Sequence, residues 1–198
     1  MVSIRASKST TRYNMKHLGL DVSTSCTGVC LLDESGKIEK LGYIDLSKVK
    51  GLIPKAIKFR EELAAWMPPT EPDKLLVSVE EAAQAFRRGL SSAQTIATLN
   101  QFNGMVQLIA SELTQHGVLT VLPATCRKAS GIKVIPEKKC GVSTKDQIRE
   151  AFERETEVKL PERELKSGPR KGMLVFDTRN YDAIDAWVVS RWSWLSKH

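Results

Sequence analysis

Histidine is nearly missing from this chain, with three in 198 residues, and the four cysteines (Cys26, Cys30, Cys126 and Cys140) form no Cys-x-x-Cys pair. The two shortages together argue against a structural zinc site. Without a secretory signal, the thiols read as reduced groups of a cytosolic protein. No apolar run approaches the ~20 residues that a membrane-spanning helix needs. Acids are absent from residues 1–18, which carry Arg5, Lys8, Arg12 and Lys16. They are scarce again over 123–149, where Arg127, Lys128, Lys133, Lys138, Lys139, Lys145 and Arg149 are set against only Glu137 and Asp146. With a net charge of +7, that distribution points to a polyanionic partner, nucleic acid above all.

What is present suffices for one core: 41% of the residues are hydrophobic, enough for a single domain of this length. Residues 1–15 read as a flexible basic arm and 16–198 as the domain. Apolar segments at 18–22, 29–32 and 38–46 are separated by turn chemistry, clearest at Asp33-Glu34-Ser35-Gly36, and predict a three-strand meander. Helical spacing follows over 52–67, stopped by Pro68-Pro69. Residues 74–79 form a short continuous apolar run, the mark of a strand covered on both faces. Residues 91–113 predict a long helix with Leu99, Phe102, Val106, Ile109 and Leu113 spaced 3, 4, 3, 4. A strand over 118–122 precedes a helix capped by Ser143 and running to about 155. Residues 158–171, charged and bearing Pro and Gly, read as a loop, and 181–194 as the terminal helix. A meander followed by alternating helices and strands indicates one mixed α/β sheet with helices on both faces.

Four acids stand out against this pattern. Asp21 ends the run His17-Leu18-Gly19-Leu20, and Glu80 ends Leu75-Leu76-Val77-Ser78-Val79. Asp182 and Asp185 are three apart in Tyr181-Asp182-Ala183-Ile184-Asp185-Ala186-Trp187, so they share one face of a helix. A carboxylate at the end of a buried strand must be paired, protonated or bound to a metal. Four that converge repel one another, and a pair of hard divalent cations relieves the repulsion. This is the electrostatic design of a two-metal phosphodiesterase. Glu81 competes with Glu80, because a one-residue register decides which faces the site.

In this order the motifs resemble the RuvC family of Holliday junction resolvases, within the RNase H-like superfamily. The matching pieces are Leu18-Gly19-Leu20-Asp21 with Thr27-Gly28-Val29, then Val79-Glu80, then Ser143-Thr144-Lys145-Asp146-Gln147-Ile148, and finally Asp182-Ala183-Ile184-Asp185-Ala186. They span about residues 16–195. The resemblance implies an RNase H-like fold: a five-stranded mixed sheet whose first three strands are antiparallel, with catalytic acids on the first strand, the fourth strand and the last helix. Two departures stand out. The family commonly has Pro-Gly after the first acid, where this chain has Val22-Ser23, followed by Thr24 and Ser25. The aromatic wedge that cellular members carry shortly after the second acid has only Phe86 as its counterpart. The chain therefore looks nearer to phage-type or other divergent members.

In that setting Asp21 is expected to bridge two Mg²⁺ ions, for which Mn²⁺ would substitute. Glu80 and Asp185 complete the shells, and Asp182 serves as ligand or proton acceptor. Lys145, ahead of the Gln-Ile helix, is expected at the scissile phosphate or the attacking water. Arg127, Lys128, Lys138 and Lys139 are candidate DNA contacts, as are Arg87 and Arg88, with Phe86 stacking on an unpaired base. The family dimerises through the helix corresponding to 91–113, and a two-fold dimer suits a two-fold junction. The expected activity is metal-dependent resolution of four-way DNA junctions by paired nicks, in the cytoplasm of a cell or phage-infected host, or less readily an organelle. The alternatives are a ribonuclease acting on RNA–DNA hybrids and an actin- or sugar-kinase-like ATPase using Asp21-Val22-Ser23-Thr24-Ser25 as a phosphate hairpin. The ATPase would need a second, related domain.

Overall fold

A computed structural model describes residues 14–82 and 93–197. The expected arm (1–15) lies almost wholly outside that range, as do Phe86, Arg87 and Arg88. Strands β1 (Lys16–Asp21), β2 (Cys26–Leu32) and β3 (Ile38–Asp45) form the antiparallel meander. Helix α1 (Leu52–Trp66) leads to β4 (Leu75–Glu80), and α2 (Ala93–Ser111) to β5 (Val118–Val121). Both β4 and β5 run parallel to β1, giving a five-stranded mixed sheet in the order β3-β2-β1-β4-β5. The remaining elements are α3 (Pro123–Ala129), α4 (Glu137–Cys140), α5 (Thr144–Thr156), β6 (Glu162–Glu164), β7 (Leu174–Phe176) and α6 (Asn180–Leu195). Among the described residues no helix is long and apolar enough to cross a membrane.

Strand alternation sorts the sheet into two faces. Leu18, Leu20, Val29, Leu31, Val77 and Val79 point to one side, where Phe59 and Leu63 of α1 and Phe102 and Val106 of α2 cover them. The heptad stripe of α2 faces inward: Phe102, Val106 and Ile109 are spent on the chain's own core. Cys30 and Leu32 point to the other side, toward Ile184, Trp187, Val188 and Val189 of α6 and Ile148 and Phe152 of α5. Helix α6 is buried nearly all round, because α3 and α5 cover the flanks that the sheet leaves open.

Two glycines bring α6 down onto the sheet. A Cβ at Gly19 would lie 2.4 Å from the carbonyl oxygen of Ala186, and one at Gly28 only 1.8 Å from that of Asp182. At the far end His17 Nδ1 meets Ser193 Oγ at 2.9 Å. Helix α6 therefore runs antiparallel to β1, and its first turns end beside Asp21.

One expectation needs correction. Residues 158–171, read as a loop, contain β6, which pairs antiparallel with β7 in a separate two-stranded ribbon. Its residues Glu162, Arg163 and Glu164 are all exposed, so they lack the apolar alternation by which a half-buried strand is recognised.

Candidate active site

The carboxyl ends of the parallel strands β1 and β4 place Asp21 beside Glu80, because Leu20 pairs with Val79 immediately before them. Asp21 shares a face with Gly19, and Glu80 with Ser78, the face that α6 covers. That register and the repulsion from Asp185 put Glu80 on the side of the sheet that α6 covers. Its backbone is held as well, since buried Asn103 of α2 donates Nδ2–H to the Glu80 carbonyl at 2.9 Å, and Glu81 N–H donates to Val121 O at 2.8 Å. Asp182 and Asp185 come from the first two turns of α6, so all four acids meet where two strand ends and one helix start converge.

Each acid keeps a small accessible rim while protein encloses most of it. Burial, reinforced by Glu80, Asp185 and Asp182, holds the Asp21 carboxyl well above its ordinary value, with Lys145 acting in the opposite direction. Burial and the neighbouring Asp185 push Glu80 up to about 7, against the opposing charge of Arg127. Burial raises Asp185 to about 6; Lys145 and Arg127 oppose this and Asp182 adds to it. Asp182 is raised by burial and eased by a hydrogen bond from the Cys26 thiol and by the charge of Lys145. The four acids thus form one repelling set. Glu80 and Asp185 are neighbours on the Arg127 side, and Asp182 lies toward Cys26.

Lys145 is where the motif placed it, in the first turn of α5. Ser143 caps that turn: its Oγ accepts from Asp146 N–H at 3.1 Å and donates to Asp146 Oδ2 at 2.7 Å. The ammonium of Lys145 sits 5.3 Å over the ring of Tyr181, whose hydroxyl donates to Asp146 Oδ1 at 2.6 Å. Tyr181 therefore ties α5 to the first turn of α6. Arg127, on α3, bears directly on Glu80 and Asp185, while Lys128, Lys138 and Lys139 stand exposed on α3 and α4. Gln147 staples the loop that carries Lys138 and Lys139, donating to the carbonyls of Ile135 and Val142 and accepting from Ile135 N–H. Ser23 and Ser25, candidates for a phosphate hairpin, have hydroxyls 3.1 Å apart and turned on each other.

Sequence reading missed one cluster. Arg179, the residue before α6, clasps buried Asp177 with bonds of 3.0, 3.1 and 2.6 Å and reaches Asp45 Oδ2 at 3.3 Å, its guanidinium stacked 5.0 Å over Tyr43. It thereby fastens the start of α6 to the end of β3, across 134 positions of chain. Beside it a cleft of about 420 Å³ opens from Asp182 and Lys145, with Ser25, Asp45 and Thr178 in its walls.

Sequence comparison is silent: no protein-family model and no curated protein matches the chain. Structure comparison is not. A structure of Thermus thermophilus RuvC in complex with Holliday junction substrate superposes with a TM-score of 0.50 at 16% identity, covering 88% of this chain and 91% of that one. A second T. thermophilus RuvC structure gives 0.51 at 17%, with 88% and 92% covered. The chain has the RuvC fold. In the RuvC fold of this chain, the meander supplies Asp21, the fourth strand Glu80 and the last helix the final pair, as the motifs implied.

The donor set suits Mg²⁺ in kind: four carboxylates whose mutual repulsion a hard cation would relieve. Among the described residues, no three His, Cys, Asp or Glu side chains form a finished metal cluster. The fit is therefore one of charge and donor chemistry alone.

Proposed function

We propose that the chain is a metal-dependent endonuclease that resolves four-way DNA junctions. The observation that carries the reading is the meeting of Asp21, Glu80, Asp182 and Asp185 at one end of a RuvC-fold sheet, electrostatically frustrated until a cation arrives. Those four residues would hold two Mg²⁺ ions, with Mn²⁺ as a substitute. When bound, the metal supplies an activated water and compensates charge on the phosphate. The chain's own groups do the rest. Asp21, on the central strand and repelled by all three partners, would be a ligand to the metal. Asp182, beside the Cys26 thiol and Lys145, is placed to accept a proton. Lys145 offers a point charge to the scissile phosphate from a side chain held against Tyr181, and Arg127 does the same from the Glu80 side. Both cations neutralise a phosphate that four carboxylates would otherwise repel.

A junction with two-fold symmetry calls for two sites related by a two-fold axis. A dimer through α2 would use the face opposite its buried stripe, where Ala97, Gln101, Gly104 and exposed Leu108 follow a 4, 3, 4 spacing and no described residue approaches within 4 Å of a Cβ at Gly104.

The test is cleavage of end-labelled four-way junction, linear duplex and RNA–DNA hybrid, in Mg²⁺ and in Mn²⁺, by the wild type and by Asp21→Asn. Paired symmetric nicks on the junction, lost in the variant while binding persists, are expected. Cutting of the hybrid in preference to the junction would move the activity to a ribonuclease. No cleavage of any substrate would refute the enzyme.

A further inference from the structure

The β6–β7 ribbon projects from the root of α6, at the same end of the molecule as the carboxylates. Its register pairs Glu162 with Phe176, Arg163 with Val175 and Glu164 with Leu174. The pattern continues one step further, since Leu165 N–H donates to Met173 O at 3.0 Å and Gly172 N–H to Leu165 O at 2.9 Å. The tip is itself folded, with Lys171 N–H donating to Gly168 O and Met173 N–H to Arg170 O, both at 3.1 Å. One face packs inward through Phe176, whose ring lies 4.9 Å from Tyr181 and 4.8 Å from the Arg149 guanidinium. The other face carries Arg163, Leu165, Met173 and Val175 and not a single acid.

Two observations ask for a partner. Residues 165–173 hold Lys166, Arg170 and Lys171 and no acid, and among the described residues none of the three is in an ion pair. Met173 and Leu174 beside them are 52% and 64% exposed. A two-stranded ribbon is marginal on its own, so a well-folded tip that leaves large apolar side chains and three cations in water is shaped for something outside it. Three unpaired cations select a polyanion, and a two-stranded ribbon has the width that the DNA major groove admits.

We propose that the β6–β7 ribbon is a DNA-gripping arm that holds a duplex segment next to the scissile phosphate, with Lys166, Arg170 and Lys171 on the phosphate backbone and Met173 against the groove. The proposal rests on the reading of the chain as a DNA nuclease. From Lys171 to Asp177, at the root of α6, the chain covers six residues, at most ~20 Å at ~3.3 Å per residue. That corresponds to about six phosphate steps along one strand, so the arm grips the duplex that carries the cut rather than a distant one.

The test compares the chain carrying Asp21→Asn, which keeps the DNA intact, with the same chain also carrying Lys166→Ala, Arg170→Ala and Lys171→Ala. Fluorescence anisotropy gives the dissociation constant for a labelled four-way junction over a range of sodium chloride concentrations. Each lost phosphate contact lowers the log–log salt slope by ~0.9, so a drop of about 2–3 and a ~10-fold or greater weakening are expected. Met173→Ser weakens binding without changing the slope. An unchanged slope and affinity, with circular dichroism showing the fold intact, overturns the arm while leaving the nuclease reading in place. If the parent binds no DNA, both readings fall. If the parent binds and the triple variant loses slope, but the wild-type chain cuts nothing, the ribbon stands as a DNA-gripping element while its place beside a scissile phosphate falls with the nuclease reading.

Discussion

A methyl group at position 28 has no room, because the Asp182 carbonyl already lies 1.8 Å from where it would sit. That neighbour is helix backbone and cannot rotate away. Gly28→Ala is expected to cost about 3 kcal/mol, the upper range for overpacking, measured by chemical denaturation. It should also abolish junction cleavage, because α6 must lift and carry Asp182 and Asp185 with it. The acids make a second prediction. Glu80 is raised from the ordinary 4.5 to about 7, so in that window the folded chain holds a proton that the unfolded chain has released. Stability of the metal-free protein therefore falls as pH rises from about 4.5 to about 7. Thermal melts in EDTA should show that fall, and Mg²⁺ should reverse it above pH 7. Asp21→Asn removes the most enclosed charge. Its metal-free melting temperature above pH 7 should exceed that of the wild type by a few degrees, although the variant cuts nothing. A lower melting temperature for that variant would contradict the frustration described for these carboxylates.

Elements, rather than single residues, decide where Lys145 stands. The Ser143 cap and the bond from Tyr181 to Asp146 fix the start of α5 against α6. Ser143→Ala should cost about 1 kcal/mol of stability. Lys145→Ala should leave stability nearly unchanged and lower the cleavage rate by about 100-fold, the scale for losing one charge-stabilising donor. Single-turnover kinetics separates the two. The same elements show what could be read from the letters. The meander, α1, β4, α2, β5, α5 and α6 were all legible, because each has a strong apolar period, a cap or a proline stop. So were Asp21, Asp182 and Asp185, through their motifs. The β6–β7 ribbon was not, because Glu162, Arg163 and Glu164 carry no buried face. Nor were α3 and α4, each too short to establish a period. Arg179 was illegible for a different reason: its partners Asp45 and Tyr43 are brought to it only by the folded sheet. Between Glu80 and Glu81 the apolar pattern alone was open and only the resemblance favoured Glu80, because no local pattern contains the fact of which face of β4 the last helix covers.

At the scale of the whole molecule, the cations and the carboxylates are arranged around one end of the sheet. Lys145 and Arg127 flank the acids, and the ribbon extends from the root of α6. A two-fold pair of such molecules through the outer face of α2 should be visible by sedimentation, and Leu108→Glu should shift it to monomer without lowering the melting temperature, since Leu108 is 64% exposed. A dimer that survives this change would place the contact elsewhere.

Helix α6 is the last of these elements along the chain, yet it touches β1, β2, β3 and β4 and supplies two of the four acids. As the polypeptide leaves the ribosome, the meander and its two glycines emerge with their groove uncovered, and they wait for some 150 further residues before the helix that fills it. Until then Asp21 and Glu80 have no Asp182 or Asp185 opposite them. A nascent chain, or one cut short before Asn180, therefore holds only half of the carboxylate set, and any chemistry that needs all four acids has to wait until α6 docks.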